Sequence, residues 1–166
     1  LCNRLYADQG SPKKIHLADN LADGVIATAE TPRAEVLRVL PPGGKALHAG
    51  EEVTKPYPEG ADEWTHPYHG PDNNPQSKDQ LARGPFMTQF MATPWYGAMP
   101  QLSVMAGGRI FKVWGNRTSQ QPQWGVMDTL LCTNAWNGTE LWRRKLSAGF
   151  MIQRNTMVAT ADLLYL

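Results

Sequence analysis

The sequence predicts a mixed fold: a short α/β unit followed by antiparallel β-structure. Three observations carry this. First, strand, helix, glycine turn and strand follow one another between Gly24 and His48, the order of a parallel αβ unit. Second, Asn137-Gly138 stands between apolar runs, Leu130-Leu131-Cys132 before it and Leu141-Trp142 after it, which is a strong hairpin signal. Third, the pattern Val104-Met-Ala-Gly-Gly-Arg-Ile-Phe111 recurs as Val158-Ala-Thr-Ala-Asp-Leu-Leu-Tyr165, an apolar strand, a small turn and an apolar-aromatic strand.

Composition bounds the reading. A chain of 166 residues can bury one sound core or parts of two domains. Net charge is +1, with Lys and Arg scattered along the chain, so no basic patch argues for nucleic acid. No run of about 20 apolar residues is present to span a membrane. Cys2 and Cys132 are too few for a disulfide framework and lack metal-ligand spacing. Frequent Gly and Pro, with Trp the most numerous aromatic, favour loops and short strands over long helices. The chain begins at Leu1 without methionine and stops at Leu166 inside an apolar run, and it reads as a fragment of a larger protein.

Residues 1–50 form the first predicted module. Gly10-Ser-Pro12 breaks a weakly patterned start, and Gly24 to Ala27 reads as a short buried strand. Thr31-Pro32 is a helix start, with the hydroxyl at the N-cap and proline at the first helical position. Ala34, Leu37 and Leu40, with Val36 beside them, give the apolar stripe. Pro41-Pro42-Gly43-Gly44 stops the helix, and Lys45 to His48 is the next strand. Glu35-Val-Leu-Arg-Val-Leu-Pro-Pro-Gly-Gly44 resembles the E-x-x-R-V-L-K-P-G-G segment of class I S-adenosylmethionine-dependent methyltransferases, and Ala22-Asp23-Gly24-Val25-Ile26 resembles the F-D-x-V-I strand before it. The resemblance implies the C-terminal part of a Rossmann-like methyltransferase domain. In that family the glycine-rich loop and ribose-binding acid lie upstream of these motifs, so S-adenosylmethionine is expected only of a full-length protein.

Residues 51–85 form a predicted linker and loop. Glu51-Glu52-Val-Thr-Lys55-Pro56-Tyr57-Pro58 is extended and proline-punctuated. Asp62-Glu63-Trp64-Thr65-His66-Pro67-Tyr68-His69-Gly70 opens the densest polar and aromatic cluster in the chain, and its prolines make it a stiff loop. Two readings compete. His66 and His69, with Asp62 or Glu63, form a metal or acid-base site, since imidazole titrates near neutrality and ligates metals. Alternatively the loop is a structural clasp, with Trp64 and Tyr68 plugging a core and the polar side chains bonding backbone. The phrase Asp-Glu-Trp-Thr-His is also similar to the opening segment of multidomain proteins that join a methyltransferase-like domain to a quinoprotein-like propeller.

Residues 86–166 are predicted to be β-rich. Phe86, Met87, Phe90, Met91, Trp95 and Met99 are apolar but not periodic; they read as irregular packing, with a cradle for a flat quinone as the alternative. Two strands flank Gly107-Gly108. Residues 114–128, with Trp114, Arg117, Gln120, Gln121 and Trp124, are a polar insertion. Asn116-Arg-Thr118 and Asn137-Gly-Thr139 match the glycosylation pattern, although a type I′ turn explains Asn137 better.

The stretch from Cys132 to Trp142 resembles the repeat of PQQ-like, quinoprotein-type β-propellers, Ala-x-Asp-x-x-Thr-Gly-Lys-x-x-Trp. Gly138 and Trp142 fall on the fixed glycine and tryptophan; Cys132, Asn134, Asn137 and Thr139 replace the Ala, Asp, Thr and Lys. The resemblance implies that Trp142 docks between adjacent blades as structural hardware. With the recurring strands on either side, residues 86–166 are expected to hold the first blade and the start of a second, a repeat of roughly 40–55 residues. The function expected is a quinoprotein-dehydrogenase-like protein or a non-catalytic binding scaffold. The alternatives are an S-adenosylmethionine-dependent methyltransferase and a metal-dependent enzyme using His66 and His69. The expected cofactors, in a full-length protein, are PQQ or S-adenosylmethionine. The expected partners are the remaining blades of the parent chain or another protein. The propeller resemblance implies a periplasmic or extracytoplasmic location.

Overall fold

The computed structural model describes residues 5–85, 87, 102–114, 128–147 and 157–166. It divides into two compact units, Leu1–Tyr57 and Pro58–Leu166.

The first unit is built on β1 (Gly24–Ala27), α1 (Arg33–Val39), β2 (Lys45–His48) and β3 (Glu51–Thr54). Strands β1 and β2 pair in parallel across the helical crossover, as the order of elements predicts. Strand β3 then adds antiparallel to β2, with Ala46 opposite Val53. Residues 51–54 are therefore part of the first unit's sheet and not a linker. The connection turns on Ala49 (φ 53°) and Gly50 (φ 87°), a pair of left-handed residues that suits a tight hairpin. Alanine in that conformation is unusual, which hid the hairpin from a reading based on turn residues.

The helix also departs from expectation by one position. Proline 32 sits at the N-cap with extended backbone (φ −58°, ψ 135°), and no side chain caps the helix. Thr31 contributes its carbonyl instead, which accepts a hydrogen bond from His48 Nε2 at 2.8 Å. The shifted start turns Val36, Val39 and Leu40 inward and leaves Ala34 exposed. Val36 and Leu40 pack with Ala46 and Val53, and Val25 and Ala27 close the cluster. Leu40 is already extended, as a residue before proline must be. Lys55 Nζ donates to Leu40 O at 2.7 Å, a cation on the helix C-terminal carbonyls. Glu35 and Arg38 of the E-x-x-R stretch form an ion pair at 2.7 Å. Arg38 also donates to the carbonyls of Ile15 and Leu17, so the pair fastens the preceding segment to the helix.

The second unit contains β4 (Leu102–Ala106), β5 (Arg109–Trp114), β6 (Thr129–Asn134) and β7 (Glu140–Lys145), followed by β8 (Val158–Ala159) and β9 (Leu164–Tyr165). Strands β4 to β7 form one four-stranded sheet in sequence order, every neighbour antiparallel. Alternate residues on one face (Leu102, Val104, Ala106, Phe111, Val113, Leu130 and Cys132) form the core with Met157 and Ala159. The β8–β9 pair thus closes over that face. Mostly antiparallel sheets with one helix are what the described residues form, β1–β2 being the parallel pair, and no closed ring exists among them.

Both β4–β5 central turn residues, Gly107 (φ 57°) and Gly108 (φ 70°), are left-handed, as a two-residue hairpin requires. The Asn137-Gly138 turn differs from the predicted type I′ form: only Gly138 has positive φ, at 71°. Gly138 N–H instead donates to Asn134 O at 2.8 Å, closing a wider loop. Asn134 Oδ1 accepts from Trp136 N–H at 2.8 Å and Asn137 Oδ1 from Thr139 N–H at 3.0 Å. These two amides hold the loop through local side-chain-to-backbone bonds, so no second left-handed residue is needed. Thr133 lies opposite Glu140 and Cys132 opposite Trp142, which leaves Leu141 as a bulge.

Candidate functional site

The candidate site is the cluster at residues 62–69. Its backbone is a small hairpin: His66 and His69 exchange N–H···O bonds of 3.2 and 3.1 Å around Pro67-Tyr68. His69 closes it at φ 73°, a conformation histidine adopts rarely. His69 is buried at 6% exposure, and Trp64 lies edge-on to its ring with centroids 5.2 Å apart. His69 Nε2 is 2.7 Å from Asp62 Oδ2.

Asp62 is the hub. Its Oδ2 also accepts from Lys78 N–H at 2.6 Å and from the Ser77 hydroxyl at 3.1 Å, while Oδ1 accepts from Glu63 N–H at 2.9 Å. Burial pushes its pKa up, but the Lys78 amide, His69, the Glu63 amide and Ser77 together outweigh this and hold the carboxyl at about 2. An ionised carboxylate can only accept, so His69 carries its proton on Nε2. Nδ1 is buried and has no hydrogen-bond partner among the described residues. A carboxylate behind an imidazole orients a proton acceptor or a metal ligand.

The structure brings together only part of the predicted metal set. His69 and Asp62 meet. His66 turns its Nδ1 to Thr65 Oγ1 at 2.8 Å, and Glu63 Oε1 accepts from Gly107 N–H at 2.7 Å. No group of three or more His, Cys, Asp or Glu side chains converges on a metal-sized position among the described residues. Of the two predicted plugs, Trp64 is half-buried and Tyr68 is exposed at 43%.

What sequence reasoning missed is where the backbone of the cluster goes. Trp64 bridges Met105 of β4 antiparallel, donating to Met105 O at 3.1 Å and accepting from Met105 N–H at 2.6 Å. The next carbonyl, Thr65 O, accepts from Ala159 N–H of β8 at 3.0 Å. Successive carbonyls of an extended chain point opposite ways, so this short segment serves β4 from one edge and β8 from the other. The available signal was the alternation Trp64-Thr65-His66, masked by the flanking prolines.

Met105 and Ala159 are equivalent positions in the sequence repeat. The pairing agrees: Val104 pairs Phe111 and Met105 pairs Ile110, as Val158 pairs Tyr165 and Ala159 pairs Leu164. The two hairpins also meet at their tips. A Cβ on Gly107 would stand 3.1 Å from Ala161 Cα, and Arg109 donates to Ala161 O. Trp142 lies on the core face, its ring 6.0 Å from that of Phe111, and remains 40% exposed. Of the aromatic and methionine stretch, Met87 is exposed; Phe86, Phe90, Met91, Trp95 and Met99 lie outside the described residues, as does most of the polar insertion. No family model matches the chain, and no curated protein or solved structure matches it.

Proposed function

We propose that the chain is the opening of a PQQ-like β-propeller that serves as a binding scaffold, preceded by a methyltransferase-like α/β unit. One observation carries the reading: a four-stranded antiparallel meander is followed by a hairpin that repeats the pairing register of its first two strands and packs on its core face. Four-stranded sheets stacked face to face around an axis are the building plan of a propeller. The scaffold form is favoured over a quinoprotein-dehydrogenase-like form because Asp62, Glu63 and the Trp64-Thr65 backbone are spent on holding hairpins together. Titrating PQQ into the full-length protein, with dye reduction as readout, tests this. The scaffold reading expects no quinone shift and no turnover; a bound quinone that reduces dye would overturn it in favour of the dehydrogenase.

The methyltransferase alternative has its own support in the parallel β1–α1–β2 unit and the Glu35/Arg38 pair. Calorimetry with S-adenosylmethionine on the full-length protein tests it, and an absence of binding heat would end it. The metal-enzyme alternative rests on His69 Nδ1 alone, since His66 and Glu63 bond elsewhere.

A further inference from the structure

We propose that residues 62–69 are a latched strap that makes the β4 and β8 edges open and close as one. The strap does not depend on a completed propeller, because all of its bonds lie within the second unit. Its reach is set by two adjacent peptide groups: Trp64 O holds Met105 N–H and Thr65 O holds Ala159 N–H. These amides occupy equivalent places in the two hairpins, so one segment controls both edges. The β8–β9 pair has only two residue pairs, Val158 with Tyr165 and Ala159 with Leu164, too few to stand alone as a hairpin. Its order is borrowed from the strap, from the sheet face beneath it and from the Gly107 approach to Ala161.

The latch is the Asp62/His69 pair. His69 closes the small hairpin at positive φ and turns the chain back; Asp62 ties that turn to Ser77 and Lys78 downstream. Glu63 adds a second fastening at the β4–β5 tip through Gly107 N–H. Removing the latch frees the strap from both edges together, exposing paired backbone groups on each hairpin.

Residue-resolved amide hydrogen exchange on the whole chain tests this. In the unmodified chain the Met105 and Ala159 amides exchange through one opening event, with protection factors within about threefold of each other. In Asp62→Ala both lose at least tenfold protection, while the β5–β6 amides Ile110 and Thr133, which face each other across the sheet away from the strap, keep theirs. If Asp62→Ala does not fold, His69→Asn carries the test, since asparagine tolerates positive φ and removes the imidazole. Loss at Met105 without loss at Ala159, no loss at either, or equal loss across β5 and β6 would each overturn the proposal.

Discussion

Asp62 shows how a single carboxylate can set the acid limit of a fold. Its folded-state pKa of about 2 lies below the ordinary 3.8. A depressed carboxylate contributes stability that is complete above the unfolded value and is lost as pH falls toward the folded one. The denaturant midpoint of the chain is therefore expected to fall as pH drops from 3.8 to about 2. Glu35, held at about 2 mainly by Arg38, titrates in the same direction, so the comparison that isolates Asp62 is with Asp62→Asn. That variant is expected to show a shallower acid slope, together with a loss of about 1–3 kcal/mol at neutral pH for partners left unpaired. An acid slope equal to the parent's would mean the Asp62 hub is not formed.

Ala49 is the opposite case, a residue that costs stability where it stands. A non-glycine residue at φ 53° has its Cβ crowded against backbone. Ala49→Gly is expected to raise the stability of the first unit by about 0.5–1 kcal/mol, the relief of strain exceeding the extra entropy of glycine in the unfolded chain. Urea titration followed by a probe on β2 or β3 measures it.

Among the elements, α1, β1 and β2 were legible in place and type because helix stop, glycine turn and strand order agreed about them. Strand β1 is not the buried strand expected, however: Val25 and Ala27 face the cluster while Gly24 and Ile26 are exposed, since the helix covers one face of the sheet. Strand β3 was not, because its turn is built on alanine and its pattern (Glu51-Glu52-Val53-Thr54) offers one buried residue, Val53. The four-stranded sheet was half legible: Gly107-Gly108 marked one hairpin, and the Asn137-Gly138 hairpin was found with the wrong turn. Local propensity points to a type I′ turn, but Asn134 and Asn137 can satisfy the loop through their side chains, and that alternative wins. The site was least legible, because Asp62 meets Ser77 and Lys78 only after a chain reversal and the strap's partners lie far along the sequence. The strap covers one edge of the sheet, at β4. The other edge, β7, is exposed along most of its length and carries Arg143, Arg144 and Lys145. Such charges keep edge strands from pairing with other chains. Replacing all three by threonine is expected to raise aggregation, seen as concentration-dependent light scattering, with the monomer's far-ultraviolet dichroism unchanged; a variant as soluble as the parent would remove this role.

At the scale of the whole molecule, two units of different construction follow one another, the first closing on a parallel αβ crossover and the second on stacked antiparallel hairpins. The sequence repeat and the paired register of the β4–β5 and β8–β9 hairpins coincide residue for residue. The strap, the Gly107 approach and the shared core face then give the two hairpins a fixed mutual placement.

The most direct measurement is a set of nuclear Overhauser contacts on the isotope-labelled chain. Met105 N–H and Ala159 N–H both point to the strap, so Met105/Ile110 and Ala159/Leu164 are non-hydrogen-bonded pairs whose α-protons face each other. Strong Hα–Hα contacts are expected at both pairs, with side-chain contacts from Met157 and Ala159 to the Val104 face. A one-residue shift in either hairpin, or an absence of contacts between β8 and that face, would contradict the repeated register.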